Sequence, residues 1–178
     1  MSVAQRKIVI VGFMAAGKTT VARALARRLD CDMLDLDNII VEQEKRTIVD
    51  LIDKEGEEKF RLSETYSLSI VLKIKGIRII ALGGGAWTLE RNRELIAKHN
   101  CITVWLDAPF ELCWQRITNE DVIRPLALDR KSAHELYLKR RPHYELASLR
   151  IEVTAAKSAD EISIEIEDAL RRQRFVKS

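Results

Sequence analysis

A chain of 178 residues with 47% apolar and 32% charged residues has the composition of a folded globular protein and excludes a disordered or membrane-embedded one. Its 30 basic and 27 acidic residues are interspersed and leave a net charge of +3, which gives no case for a nucleic-acid-binding face. Three widely separated cysteines, Cys31, Cys101 and Cys113, argue against a disulfide framework or a zinc site and place reduced thiols in a cytoplasmic setting.

The chain opens on the continuous apolar run Ile8 to Val11, the pattern of a strand buried on both faces, drawn over 7–11. Arg6 and Lys7 ahead of this run mimic a signal peptide, but Gly12-x-x-x-x-Gly17-Lys18-Thr19 follows at once, so the run reads as a first strand. That spacing is the P-loop pattern. Gly12 lets the chain leave the strand in a tight turn. The backbone N–H groups from Ala15, Ala16, Gly17, Lys18 and Thr19 then form a nest at a helix N-terminus that suits phosphate oxygens. Lys18 adds a point charge for the β/γ-phosphates, and the Thr19 hydroxyl is placed for Mg²⁺. Val21, Leu25 and Leu29 recur on one face of a helix over 18–29, which completes the strand–loop–helix context.

A second strand over 33–36 leads into Asp35-Leu36-Asp37. Two carboxylates at a strand end can orient Mg²⁺ through water or accept a proton from an attacking hydroxyl; alternatively Asp37 is the N-cap of the helix over 38–45. A long helical stretch over 47–74 carries Arg61, whose plain reading is an exposed i,i+3 pair with Glu64. The third strand, 77–82, runs into Gly83-Gly84-Gly85, three of the chain's seven glycines, a sign that backbone comes close to a small substrate or phosphate. After a helix over 88–98 and a fourth strand over 101–106, a helix over 109–118 bears Arg116.

The stretch 119–131 is irregular, charged and broken by Pro125, as in a binding loop or lid, and holds Arg124, which can close over transferring phosphoryl groups. Arg140 ends a helix over 132–146, where helix-dipole effects alone favour a basic residue. A fifth strand over 149–153 and a last helix over 158–173 complete the chain, with Arg171 to Arg174 as its solvated end. His99, His134 and His143 lack ligand spacing and read as surface or loop residues. The alternation predicts an α/β fold: a three-layer α/β/α architecture on a five-stranded parallel sheet, with its site outside the carboxyl ends of the strands.

Taken together, the segments resemble the shikimate kinase family along nearly the whole chain. They arrive in that family's order: Gly12 to Thr20, Asp35-Leu-Asp37, Gly56-Glu-Glu-Lys-Phe-Arg61, Gly83-Gly-Gly85, Arg124-Pro-Leu and Arg140-Arg-Pro-x-Tyr144. The resemblance implies one kinase domain over 1–178, with a nucleotide loop at 12–20, an acceptor-binding helical region at about 37–62 and a short lid at about 119–131. It implies ATP and shikimate as substrates, phosphorylation of the 3-hydroxyl within aromatic amino acid biosynthesis, Mg²⁺ as cofactor, and a cytoplasmic monomer without nucleic-acid or membrane partners.

Residue by residue, the resemblance makes Asp37, Arg61, Gly83, Gly84, Gly85 and Arg140 the shikimate-binding set, the arginines holding the substrate carboxylate. Asp37 also orients, and takes the proton of, the attacking hydroxyl. Gly12 and the loop residues from Ala15 to Thr20 hold the nucleotide, Thr19 and Asp35 serve the metal, and Lys18 and Arg124 act on the phosphates. Arg116 stacks near the adenine and Lys157 falls in the adenine loop. The loop carries Ala15-Ala16 where the family frequently has a glycine. Two alternatives remain at this stage: a related kinase acting on another polyol acid or a nucleoside monophosphate, and a silent nucleotide-binding regulator.

Overall fold

A computed structural model describes residues 6–119 and 129–175. Five strands, β1 (Ile8–Val11), β2 (Asp32–Asp35), β3 (Ile77–Ala81), β4 (Ile102–Asp107) and β5 (Leu149–Glu152), form one sheet in the order β2-β3-β1-β4-β5, every pair parallel. Seven helices connect or follow them: α1 (Lys18–Leu29), α2 (Leu36–Glu44), α3 (Ile48–Val71), α4 (Glu90–Lys98), α5 (Phe110–Asn119), α6 (Arg130–Tyr144) and α7 (Ala159–Phe175). The expected α/β/α architecture is therefore present, with element ends shifted by one to three residues.

Parallel pairing demands long crossovers, and their right-handedness distributes the helices. The one leftward step, β1 to β2, puts α1 on one face, where α7 packs against it; the rightward steps put α2 to α6 on the other. Buried on both faces, the central strand is wholly apolar: Ile8, Val9, Ile10 and Val11 are at most 1% exposed. The strand order reverses on either side of β1, which opens a crevice at the carboxyl ends of β1, β3 and β4.

Two expectations are corrected. The stretch drawn as one helix over 47–74 is broken at Gly56, whose φ of 85° and ψ of 164° are non-helical, so the acceptor-side half of α3 takes its own direction from Glu57 onward. The helix-capping role offered to Asp37 belongs to Asp35. Strand β2 stops at Asp35, and its side chain accepts the Asp37 N–H at 3.0 Å, which leaves Asp37 in the first turn of α2. Arg124, Pro125 and Leu126 lie outside the described residues. Of the expected lid, the described ends are Asn119, the last residue of α5, and Asp129, which caps α6 through the Lys131 and Ser132 N–H groups.

Candidate active site

The loop after β1 is shaped by its neighbours. At Gly12, φ is 147° and a β-carbon would stand 2.8 Å from the Leu106 carbonyl of β4, so only glycine fits between the strands. Ala15 adopts a left-handed φ of 57°, a conformation that costs a residue with a β-carbon about 1–2 kcal/mol. Gly17, at φ 93°, leads into α1, whose N-terminus has no side-chain cap. The N–H groups of its first turn therefore face the crevice.

Beside this loop lies a cavity of about 470 Å³ lined by residues 14–21 together with Asp35, Asp37, Gly84, Arg116 and Lys157. Lys18 Nζ donates to the Phe13 carbonyl at 2.8 Å, which folds the ammonium back over the loop. The Thr19 hydroxyl donates to Asp35 Oδ2 at 2.5 Å, so two side-chain oxygens meet at the start of α1. Arg116 Nη1 donates to the Ala15 carbonyl at 3.1 Å, and Lys157 Nζ donates to the Glu152 carbonyl and pairs with Glu165. Of the residues expected at the nucleotide, Ala15 to Thr20, Arg116 and Lys157 border one space, whereas Gly12 does not line it.

A second cavity of similar size is lined by Arg61, Arg140, Glu57, Thr88 and Lys139. Of the three glycines after β3, Gly84 lines the first cavity. A β-carbon on Gly83 would stand 2.6 Å from Asp37 Oδ1 and 3.0 Å from Glu64 Oε1; one on Gly84 would approach Met14 N at 3.2 Å; one on Gly85 would lie 2.6 Å from Arg61 Nη1. Absence of side chains here lets an acidic group and two arginines crowd against the phosphate loop, and each glycine of the triad has its own neighbour to admit.

Both arginines depart from their plain sequence readings. Arg61 is not half of an exposed pair: its guanidinium donates to Glu64 Oε2 at 2.8 Å, with the Glu64 side chain 0% exposed, and to Glu57 Oε1 at 2.9 Å. Burial works against its charge, but Glu64 and Glu57 outweigh it and hold its pKa above the usual value. Arg140 is no solvated helix end. It lies inside α6, is buried, and its pKa is lowered chiefly by that burial. No carboxylate among the described residues lies within ion-pairing distance of it.

Glu64 is the site residue that sequence reasoning passed over as a mere partner. Burial pushes its pKa up from 4.5 to about 7, Arg61 opposes the shift, and nearby Asp37 adds to it. A carboxyl whose pKa is raised in the folded state favours folding while it is protonated. That contribution is complete below about pH 4.5 and is lost as pH rises through 7. Glu64→Gln does not titrate. Relative to wild type, its urea-unfolding free energy should therefore rise by up to about 3 kcal/mol between pH 5 and pH 8. A difference that stays flat across that range would contradict the assignment.

A phosphate loop at the switch point of a parallel sheet, with a second pocket of acidic and basic residues, defines a P-loop kinase. The model of the shikimate kinase family matches residues 14–171. Shikimate kinase of Lactococcus lactis is 39% identical over 90% of this chain and 96% of its own length, and that of Bacillus pumilus 34% over 95% and 91%. Among solved structures, shikimate kinase from Acinetobacter baumannii in complex with shikimate superposes with a TM-score of 0.87 at 36% identity, covering 95% of this chain and 94% of that one. The chain belongs to the shikimate kinase family. Among the described residues, no helix is long and apolar enough to cross a membrane.

Proposed function

We propose that this protein transfers the γ-phosphoryl group of ATP to the 3-hydroxyl of shikimate. The observation that carries the acceptor half of this reading is Arg140. A buried guanidinium without a carboxylate partner among the described residues is costly, and its place beside Gly84, one residue's width from the phosphate loop, suits an acceptor that brings its own carboxylate. Arg61, held in register by Glu64, supplies a second set of donors for the same anion.

Asp37 would accept a hydrogen bond from the attacking hydroxyl and take its proton as the new phosphorus–oxygen bond forms and the bond to the departing ADP breaks. Being in the first turn of α2, its carboxylate is favoured by the helix N-terminus. The open N–H groups of the loop and Lys18 would hold the phosphates, and Arg124 would act on them from the lid. Gly83 and Gly85 would admit the acceptor ring, and Arg116 and Lys157 would border the adenine.

Mg²⁺ fits the site: the Thr19 hydroxyl and the Asp35 carboxylate are hard oxygen ligands 2.5 Å apart at the phosphate end of the cavity. Mg²⁺ is commonly held by one or two such groups together with substrate phosphates, and when bound it neutralises charge on the phosphoryl oxygens. Catalysis is then positioning plus charge stabilisation, with little covalent work for the protein.

The test is ADP release from ATP and Mg²⁺ with shikimate, gluconate, AMP or no acceptor. Shikimate alone should raise the rate well above the blank. A shikimate rate equal to the blank would reject the reading, and a preference for AMP would replace it with a nucleotide kinase.

A further inference from the structure

We propose that Glu57 is a positioning residue that holds Arg61 as a stand-in anion until the acceptor's carboxylate exchanges with it. The proposal rests on the function given above. Arg61 has two carboxylate partners of unlike kind. Glu64 accepts from Nη1 at 2.8 Å, with its side chain 0% exposed. Glu57 accepts from Nη2 at 2.9 Å and from Nε at 3.2 Å, with its side chain 49% exposed. Nε and Nη2 together form an edge of the guanidinium that can take a carboxylate through two parallel bonds. In this structure that edge belongs to Glu57.

The Glu57 contact is built to be given up. Both bonds go to one oxygen, Oε1, so Glu57 does not make the two-oxygen, fork-to-fork match that an acceptor carboxylate can make. Half of its side chain already meets water, and a carboxylate that leaves Arg61 there is rehydrated at little cost. Glu64 has no such exit, because its side chain is sealed from solvent. The backbone ahead of Glu57 is also unencumbered. It is the break at Gly56, where no atom lies within 4 Å of the place a β-carbon would take.

Glu57 stands at the acceptor's place and not on an outer surface. It lines one cavity with Arg61 and Arg140, and the Arg61 side chain is only 12% exposed. Without ion-pairing, it also offsets part of the cost of burying the Arg140 charge. Glu57 thus gives both arginines the negative charge that the acceptor's carboxylate brings later, and the exchange leaves the charge around them unchanged. An i,i+4 pair that merely braced Arg61 would favour acceptor binding. A competitor within the chain does the reverse, since the apparent affinity is reduced by the fraction of molecules in which Arg61 is free to bind.

Glu57→Gln keeps the shape of the side chain and removes its charge. The measurements are shikimate binding by calorimetry, kcat and KM for both substrates, and the Arg61 Nε–H resonance in protein with isotope-labelled arginine, assigned by its loss in Arg61→Lys. The Kd for shikimate should fall about two- to fivefold, the range set by an ion pair of this exposure, with kcat and the KM for ATP within about twofold of wild type. Glu57→Ala, which leaves Arg61 no oxygen at that edge, should tighten binding at least as much. Glu58→Gln removes the same charge from the next residue, which is exposed, and should change the Kd by less than about 1.5-fold. Without shikimate, the Arg61 resonance should differ between wild type and Glu57→Gln; with shikimate bound, the two should coincide.

Unchanged or weaker shikimate binding in Glu57→Gln and Glu57→Ala would overturn the proposal, because Glu57 would then brace Arg61 throughout. An equal tightening in Glu58→Gln, or Arg61 resonances that still differ with shikimate bound, would overturn it too. A wild type that binds shikimate without phosphorylating it fails the proposed reaction only, and the binding comparison still decides the role of Glu57. A wild type that does not bind shikimate overturns both.

Discussion

Asp37→Asn should lower kcat for shikimate phosphorylation by about 10²–10⁴, the usual contribution of a positioned proton acceptor, while nucleotide affinity stays within twofold of wild type. The substitution is nearly isosteric, and the backbone contact that holds this turn, Asp37 N–H to Asp35 Oδ1, remains. An asparagine can still accept a hydrogen bond from the acceptor hydroxyl, but it cannot take the proton. If Asp37 only orients the acceptor, the loss should be nearer tenfold and should appear in KM as well as kcat. If nucleotide affinity falls in parallel with kcat, Asp37 serves the phosphate side and leaves the acceptor site. Pre-steady-state ADP formation with saturating shikimate, beside equilibrium titration with ATP and Mg²⁺, separates these outcomes.

Asp35 provides the contrast. Its carboxylate caps α2 through Oδ1 and accepts from the Thr19 hydroxyl through Oδ2, so it faces the nucleotide end. Two acids two residues apart thus border one cavity, Asp35 as the cap of α2 and Asp37 in its first turn. From the sequence, the pair points the same way because residues i and i+2 of a strand do. The structure brings both to the crevice by another route, since β2 stops at Asp35 and α2 begins. One residue of uncertainty in where the strand ends decides which acid is the cap.

What was legible followed from burial and periodicity. A strand covered on both faces must be apolar throughout, so Ile8 to Val11 announced β1, and the P-loop spacing announced the turn and helix after it. The strand–helix alternation then left few topologies open. Less of the acceptor side could be read, because spacing along a helix reports neighbours and not solvent. Arg61 and Glu64 are an i,i+3 pair on any helix; that Glu64 is fully buried depends on where the break at Gly56 sends the second half of α3. Arg140 had the same ambiguity. A basic residue near a helix end is ordinary until Trp87 Nε1, donating to the His143 carbonyl, and Tyr144 Oη, donating to Gly84, draw that end inward. Asp107, with Arg141 and Arg150, has no local signature, since its three parts come from β4, α6 and β5.

The burial of Arg140 leads to the second large expected effect, in which activity and stability move in opposite directions. Arg140→Met should raise the KM for shikimate by about 10²–10³, in line with about 2–5 kcal/mol for loss of one partner from a desolvated charge pair, with the KM for ATP little changed. Without ligand, the same variant should be more stable than wild type. The wild-type guanidinium is buried, its charge is disfavoured chiefly by that burial, and Glu57 and Glu64, neither ion-paired with it, offset only part of the cost. Methionine fills a similar volume, and Tyr144 keeps its bond to Gly84. Replacing buried ionic groups by apolar ones is often stabilising by about 1–4 kcal/mol, and at this chain length each kcal/mol moves Tm by about 2–4 °C. Shikimate should raise the Tm of wild type and leave that of Arg140→Met unmoved, because only the wild type gains a partner for its charge on binding. A variant less stable than wild type that still responds to shikimate would mean that Arg140 is a structural group and that the carboxylate is held by Arg61 alone.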